Sequence, residues 1–292
     1  MIPEPMATTA LDGPACLLGE GPAYDAATDT AWWFDILGRT LFEHAFSTGA
    51  TRAHALPFMA SQLSVIDDTR QLIFAESGLY VREIGTGRLT LHTVIEESDA
   101  ATRCNDGRVH PSGALWMGTM GKEGEEGLGA LYWFHRGEVR QLYRGISIPN
   151  AICFSPDGAT AYFTDTPTGR LMRVPTDPAT GLPQGDPTIF HDSHAANGGP
   201  DGAVVDAEGC LWNARWGGGR IDVYGPDGGQ LRSIALPVSQ PTCPLFIGAS
   251  ADRLLVTSAR QGVKVGAEPD AGRTLLLDLA VRGRHDARVM VA

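Results

Sequence analysis

Residues 149–164 read Pro-Asn-Ala-Ile-Cys-Phe-Ser-Pro-Asp-Gly-Ala-Thr-Ala-Tyr-Phe-Thr, which is an apolar run, a turn at Ser155–Gly158 and a strand rich in aromatic and β-branched residues. Ser, Pro, Asp and Gly supply the dihedral angles and local hydrogen bonds that turns need, whereas Tyr, Phe and Thr favour a pleated sheet. The stretch therefore predicts a β-hairpin, and the same pattern occurs at five other places in the chain.

The other turns lie upstream and downstream of this stretch at near-constant spacing. They begin at Asp25, Asp67, His110, Asp206 and Gly248, and the strands after them include Trp32–Ile36, Leu72–Ala75, Leu115–Gly118, Leu211–Ala214 and Leu254–Thr257. A second hairpin follows each of the first ones. Six units in 292 residues give about 49 residues per unit, which is close to the period of a four-stranded propeller blade.

This repeat decides the fold class. A β-sandwich would not explain a sixfold recurrence, and a solenoid would leave open ends that need caps. We therefore predict an all-β fold, a six-bladed β-propeller with four-stranded antiparallel blades around a central channel, as one domain over residues 1–292. The segment Met6–Leu18 is expected to supply an edge strand that closes the ring. Four tryptophans, at positions 32, 33, 116 and 212, are expected to pack between blades.

Composition restricts the partners and the compartment. The 34 acidic and 23 basic residues give a formal net charge of -11, which argues against a nucleic-acid partner. No apolar run is long enough for a membrane helix, and the N-terminus lacks the pattern of a signal peptide. Five widely scattered cysteines without a C-x-x-C pair favour reduced thiols in a cytoplasm.

A ring of equivalent residues points to a site in the channel. The innermost strand of each blade lines the channel, so residues five positions before each first turn are expected to face one another at one mouth. They are Glu20, Gln62, Asn105, Asn150, Asp201 and Cys243.

The chemistry of this ring suits a cation. Glu20 and Asp201 would repel each other in a narrow channel unless a cation lies between them, and Asn150 adds a neutral carbonyl oxygen. Because the ring has no histidine, calcium, magnesium or manganese fits better than zinc. The alternative is that these polar residues only line a water-filled channel. Arg103 is expected on the same face as Asn105, where it could bind a hydroxyl or a carboxylate.

At these residues the sequence resembles the regucalcin (senescence marker protein)/gluconolactonase family, from about Leu18 to the C-terminus. The motifs that carry the resemblance are Leu18-Gly-Glu-Gly-Pro22, Phe34-Asp-Ile36, Arg103-Cys-Asn-Asp-Gly107, Gly118-Thr-Met120, Pro149-Asn150 before Ser155-Pro-Asp-Gly158, and Pro200-Asp-Gly202 before Leu211-Trp212. Any one of them alone is weak, but together, in this order and spacing, they are highly specific.

The resemblance implies a divalent-metal-dependent lactonase that opens a sugar lactone to the sugar acid. It implies that Glu20, Asn150 and Asp201 hold one divalent ion, calcium first, with magnesium, manganese or zinc as alternatives. It also implies that Arg103, Asn105 and Glu123 contact the substrate. Asp201 is the candidate general base for the attacking water, and hydroxide bound to the ion is the alternative nucleophile.

Two other functions remain open at this point. The first is a non-enzymatic propeller, either an interaction scaffold or a calcium-binding regulator. The second is hydrolysis of another ester or of an organophosphate on the same metal scaffold. A scaffold would not need Glu20, Asn150 and Asp201 at equivalent positions of the channel.

Overall fold

The protein is described by a computed structural model that covers residues 1–96, 99–194 and 196–292. Within these ranges the secondary structure is 25 β-strands and one 3-10 turn, Thr166–Thr168. None of the helical structure in these ranges is long and apolar enough to cross a membrane. All five cysteines are unpaired, as the scattered spacing predicts.

The strands follow one another blade by blade along the chain. The N-terminus forms β1 (Glu4–Pro5) and β2 (Thr8–Ala10), followed by blade 1 with β3 (Gly19–Asp25), β4 (Thr30–Asp35), β5 (Thr40–Ala45) and β6 (Ala50–Ala55). Blade 2 has β7 (Ala60–Val65), β8 (Arg70–Ala75), β9 (Gly78–Glu83) and β10 (Leu89–Val94). Blade 3 has β11 (Thr102–Val109), β12 (Leu115–Gly121), β13 (Gly129–His135) and β14 (Glu138–Ile146). Blade 4 has β15 (Pro149–Phe154), β16 (Thr160–Asp165), β17 (Arg170–Pro175) and β18 (Thr188–Asp192). Blade 5 has β19 (Gly199–Val205), β20 (Leu211–Trp216), β21 (Arg220–Tyr224) and β22 (Gln230–Ala235), and blade 6 has β23 (Pro241–Ile247), β24 (Arg253–Ser258) and β25 (Leu275–Leu277).

These strands form six sheets, which confirms the predicted six-bladed propeller. Within blades 1 to 4, consecutive strands pair antiparallel, so each blade is a meander. Blade 6 is completed by β2, which pairs antiparallel with β25 at the outer edge. The prediction that Met6–Leu18 supplies a closing edge strand is thus confirmed. The short strand β1 adds to the outside of blade 5, parallel to β22.

Apolar side chains between neighbouring blades form the core. One cluster joins Val204 and Trp212 of blade 5 to Phe246 and Leu254 of blade 6. The rings of Trp212 and Phe246 meet edge to face, with their centroids 6.0 Å apart. The four tryptophans at positions 32, 33, 116 and 212 are all buried, which confirms that they belong to the core.

The innermost strands β3, β7, β11, β15, β19 and β23 surround the channel and run in the same direction along it. The C-terminal segment after β25 crosses the end of the channel where these strands finish. Its residues bond to the ends of several blades: Val289 N–H to Val65 O, Met290 N–H to Gly113 O and Gly283 N–H to Ala251 O, each at 2.9 Å. Arg284 Nη2 also donates to Phe154 O at 2.6 Å. The predicted site residues lie at the opposite end, where the inner strands begin.

Candidate metal centre and active site

A cavity of about 280 Å³ lies at the end of the channel where the inner strands begin. All six residues that the resemblance assigns to the site line it: Glu20, Arg103, Asn105, Glu123, Asn150 and Asp201. Their side chains come from β3, β11, β15, β19 and the loop after β12. The wall also includes four apolar side chains, Leu18, Met120, Ile148 and Trp216, and the polar side chains of Lys122, Thr166 and Gln261.

A β-bulge in each inner strand places these side chains. The pairing register shifts between Glu20 and Ala23 on β3, between Asn150 and Cys153 on β15, and between Pro200 and Ala203 on β19. A bulge adds one residue to a strand and changes the direction of the side chains beside it. At the bulge of β3, Gly21 has a φ of 52°, and a Cβ there would lie 1.7 Å from Ser61 O. Glycine after Glu20 therefore allows blades 1 and 2 to approach closely.

The position of the bulge within the strand explains why the predicted ring is wrong at two positions. Gln62 does not line this cavity; its Nε2 donates to Leu63 O at 2.9 Å, and the residue lines a second cavity of about 140 Å³ beside the C-terminal segment. Cys243 also lies deeper in the channel, where its Sγ is 3.4 Å from Arg108 Nη2. Counting five residues back from each turn assumes that the bulge has the same place in every strand. The register shift begins at the counted residue or one residue before it in the four strands that reach the cavity, but two residues earlier, at Ala60 and Pro241, in β7 and β23.

Hydrogen bonds connect the polar residues of the site and define the orientation of its amides. Arg103 Nη1 donates to Asn105 Oδ1 at 2.9 Å, and Asn105 Nδ2 donates to Asn150 Oδ1 at 3.1 Å and to Pro149 O at 2.9 Å. At the other end, Asn150 Nδ2 donates to Thr166 Oγ1 at 3.0 Å. Arginine can only donate and a carbonyl can only accept, so the whole chain has one consistent direction.

Two buried carboxylates complete the site. Glu20 and Asp201 are 6% and 4% exposed. Glu20 Oε2 accepts the N–H of Gly21 at 3.1 Å, and Asp201 Oδ1 accepts the N–H of Gly202 at 3.0 Å. Within the described ranges, the second oxygen of each carboxylate accepts no hydrogen bond from the protein. Each carboxylate can therefore direct one oxygen to a ligand.

The environment of these carboxylates disfavours two negative charges. Burial, followed by repulsion from Asp106, raises the pKa of Glu20 to about 8. Burial, followed by repulsion from Glu20, raises the pKa of Asp201 well above its ordinary value. Arg103 partly offsets both effects because its positive charge lies nearby. A bound divalent cation would relieve this repulsion and keep both groups ionised.

Asp106 and Arg108 lie below the site, and the sequence patterns did not single them out. Asp106 accepts the N–H groups of Gly107 and Ile152, each at 2.8 Å, and burial raises its pKa to about 6. Arg108 pairs with Asp286 of the C-terminal segment at 2.8 Å. Asp106 could have been noticed because it follows Asn105 within the Arg103–Gly107 motif, whereas no local signal links Arg108 to Asp286.

The donor set fits a hard divalent ion. Glu20 and Asp201 offer carboxylate oxygens and Asn150 an amide oxygen, which are the ligand types that calcium, magnesium and manganese prefer. The residues that the structure describes contain no cluster of three or more His, Cys, Asp or Glu side chains. The third candidate donor in this set is an asparagine, so the absence of such a cluster does not conflict with it.

Comparisons with known proteins show the family to which the chain is related. The sequence profile described as the SMP-30/Gluconolactonase/LRE-like region matches residues 18–260. A protein of Rhizobium meliloti that is provisionally named a sugar lactone lactonase is 51% identical over 285 residues, 97% of each chain. The L-arabinolactonase of Azospirillum brasilense is 32% identical over 280 residues, 93% of this chain and 91% of the relative.

A solved structure has the same fold at high identity. It is described as a calcium-binding protein, regucalcin, of Agrobacterium tumefaciens. It is 50% identical to this chain, with a TM-score of 0.96 over 99% of this chain and 98% of its own. The likeness therefore extends over the whole propeller, including the blades that carry the site.

Proposed function

This chain belongs to the SMP-30/gluconolactonase/LRE-like family, and we propose that it hydrolyses a sugar lactone to the sugar acid in the cavity at the start of the inner strands. We further propose that one divalent ion, calcium first, is held there by Glu20, Asn150 and Asp201. The observation that carries this proposal is the meeting of two buried carboxylates, one oriented amide oxygen and one buried arginine in a single cavity.

The relatives support the substrate class. Two of them, at 51% and 32% identity, are named for the hydrolysis of sugar lactones. The cavity of about 280 Å³ has room for a small ligand such as one sugar ring. Its apolar side chains would contact the C–H faces of the ring, and its polar side chains would bind hydroxyl groups.

Each polar residue has a defined part in the proposed reaction. When bound, a divalent ion polarises the lactone carbonyl and stabilises the negative charge that develops on its oxygen. Asp201, whose carboxylate lines the cavity, would act as the general base and accept a proton from the attacking water. Glu123 lies in the loop after β12, at the rim of the cavity, and would bind a substrate hydroxyl.

Arg103 and Asn105 would orient the substrate. The Nε of Arg103 is buried without an acceptor among the described residues, and its Nη2 takes part in no hydrogen bond there. These donors are therefore left for a substrate oxygen. Both N–H groups of Asn105 are already used, so its contact with substrate would be through Oδ1, accepting a hydroxyl proton.

A second candidate function is binding of calcium without catalysis. The observation that favours it is the description of the 50% identical Agrobacterium tumefaciens structure as a calcium-binding protein. Such a role would use the same three ligands but would not need the unsatisfied Arg103. The buried Arg103 Nε without an acceptor among the described residues therefore favours lactone hydrolysis.

We also propose that the protein acts in the cytoplasm. Its five cysteines are unpaired, and Cys104, Cys153 and Cys243 are buried near the channel. Free thiols are the usual state in a reducing compartment.

The first prediction tests the metal and the substrate together. After treatment with a chelator, the protein should open no sugar lactone, and adding back calcium, magnesium, manganese or zinc one at a time should restore turnover with at least one ion. Lactone opening is followed in a pH-stat with a panel of pentonolactones and hexonolactones, because acid release measures the reaction directly.

Two variants make this experiment specific. Asp201→Asn should abolish turnover and weaken ion binding in calorimetry by at least about tenfold, because the negative charge of a ligand and the base are lost. Asp186→Asn removes an exposed carboxylate elsewhere and should behave like the wild type. Ion binding without opening of any lactone would support the calcium-binding alternative, and full activity after chelation would refute the metal-dependent mechanism.

A further inference from the structure

Hydrogen bonds join the turn that follows β16 to the residues just before β15. Asp165 Oδ1 accepts the N–H groups of Ser147 and Ile148, at 3.2 and 2.9 Å, and the N–H of Thr166 donates to Ile148 O at 3.0 Å. Thr166, which no sequence pattern singled out, is therefore fixed by its backbone. Its side chain lines the same cavity as Asn150 and Asp201.

The hydroxyl of Thr166 has two partners with opposite requirements. It donates to the carbonyl of Pro200 at 2.8 Å and accepts the Nδ2–H of Asn150 at 3.0 Å. A hydroxyl has a single hydrogen, and Pro200 O can only accept it, so Asn150 must present its NH₂ group to Thr166. The oxygen of Asn150 then lies at the other end of the amide, where it accepts Asn105 Nδ2 and has a second lone pair left.

We propose that Thr166 is a positioning residue that makes Asn150 present its oxygen to a bound cation and holds β15 and β19 together at the site. This inference rests on the proposed metal site. A cation requires the amide oxygen, and a rotation of the carboxamide by half a turn would direct the NH₂ group at the ion instead. Partners of this kind around metal ligands commonly set both ligand orientation and affinity.

The contact with Pro200 extends the effect to the second ligand strand. Pro200 immediately precedes Asp201 on β19, so the hydroxyl links the strand of Asn150 to that of Asp201. The methyl group of Thr166 packs at the same place, since a Cβ on Gly199 would lie 2.8 Å from Thr166 Cγ2. The hydroxyl and the methyl group therefore act on different parts of the same interface.

Blade 1 provides an internal comparison. There Asp35 accepts the N–H groups of Leu17 and Leu18, and the N–H of Ile36 donates to Leu18 O at 3.0 Å. Ile36 thus occupies the backbone position that Thr166 has in blade 4. The ligand of blade 1 is Glu20, whose two oxygens are chemically equivalent and need no such selection. The turn accordingly folds without a hydroxyl, and the hydroxyl occurs where the ligand is an amide.

The test compares Thr166→Val, which keeps the shape and loses the hydroxyl, with Thr166→Ser, which keeps the hydroxyl and loses the methyl group. Calorimetric titration with calcium alone, and separately with manganese alone, should give a Kd for Thr166→Val at least about tenfold weaker than that of the wild type. Thr166→Ser should stay within about threefold, since the hydroxyl is restored. Thermal unfolding of the metal-free variants shows whether either substitution affects folding itself.

A variant at position 150 distinguishes an effect on the orientation of the Asn150 amide from an effect on packing. In Asn150→Asp the ligand oxygens are equivalent, so adding Thr166→Val should cost markedly less ion affinity than it does with Asn150 present. The inference is overturned if Thr166→Val binds the ion like the wild type, or if its loss is equally large with Asp at position 150. Absence of any ion binding by the wild type would instead overturn the proposed metal site itself.

Discussion

Arg103 shows how one residue combines a structural contact with a binding contact. Its Nη1 donates to the carbonyl of Cys104 and to Asn105 Oδ1, so its position on β11 is fixed. Burial lowers the pKa of its guanidinium, and the charges of Glu20 and Asp201 act against that effect. A buried cation with unused donors is costly unless a ligand uses it, which is why we assign it to the substrate.

We predict that Arg103→Met lowers kcat/KM for a sugar lactone about ten- to a hundredfold, since contacts of about 1.5–3 kcal/mol to a hydroxyl or oxyanion are lost. Ion binding should not weaken, because arginine is not a ligand and its charge repels the cation. The measurement is a pH-stat assay at saturating metal, paired with calorimetry. Arg52→Met, which changes a side chain that is 76% exposed, is the control and should be neutral. Equal rates for Arg103→Met and the wild type would remove Arg103 from the site.

Neighbouring blades are also joined by buried polar contacts at their turns. His110 follows β11, and its Nε2 is 2.9 Å from Gly158 O in the first turn of blade 4. Its Nδ1 accepts the N–H of Ser112 at 3.0 Å. The ring is therefore neutral, with its proton on Nε2, because a second proton on Nδ1 would oppose the Ser112 N–H. Burial, the largest effect, lowers the pKa of His110.

This contact predicts a pH-dependent stability. A histidine whose pKa is lower in the folded state contributes its full stability above the unfolded value of about 6.5, and the contribution is lost as the pH falls below it. Urea unfolding should show the wild type more stable than His110→Gln at pH 7.5, with the difference becoming smaller by pH 5.5. His194→Gln, at an exposed position, is the control. A difference that is constant over this pH range would contradict the assignment.

The whole ring is closed at two places by the two ends of the chain. The N-terminal strand β2 is the outer strand of blade 6, whose other three strands come from the C-terminal part of the chain. The C-terminal segment crosses the far end of the channel and carries Asp286 to the buried Arg108. Because both ends contact blades remote in sequence, we propose that residues 1–292 form one domain.

We predict that Asp286→Ala destabilises the protein by about 2–3 kcal/mol, less than the loss from a fully buried pair because Asp286 remains partly exposed. The cause is that Arg108, 3% exposed at its side chain, would lose its compensating charge. Glu208→Ala, which breaks the exposed pair with Arg282 of the same segment, should cost at most about 0.5 kcal/mol. Urea unfolding measures both changes, each in a single transition if the chain is one domain. Equal losses in the two variants would show that burial of Arg108 does not matter.

The sequence by itself determined the repeated parts of this molecule. Turn residues such as those of Ser155–Gly158, followed by aromatic and β-branched strands, specify local structure through nearby atoms, and their sixfold recurrence predicted the blades and the closing strand. The motifs around Glu20, Arg103, Asn150 and Asp201 likewise predicted the residues that line one cavity. These features depend on interactions within one blade or on positions that the repeat makes equivalent.

Only the tertiary structure decided how residues from different blades meet. On β7 and β23 the bulge begins two residues before Gln62 and Cys243, earlier than in the other inner strands, and these two side chains do not line the cavity. The contact of Thr166 with Asn150 and Pro200, and that of Arg108 with Asp286, join segments whose sequences carry no sign of each other. Such contacts depend on the rotation and spacing of whole blades, which follow from packing the complete ring and not from any local pattern.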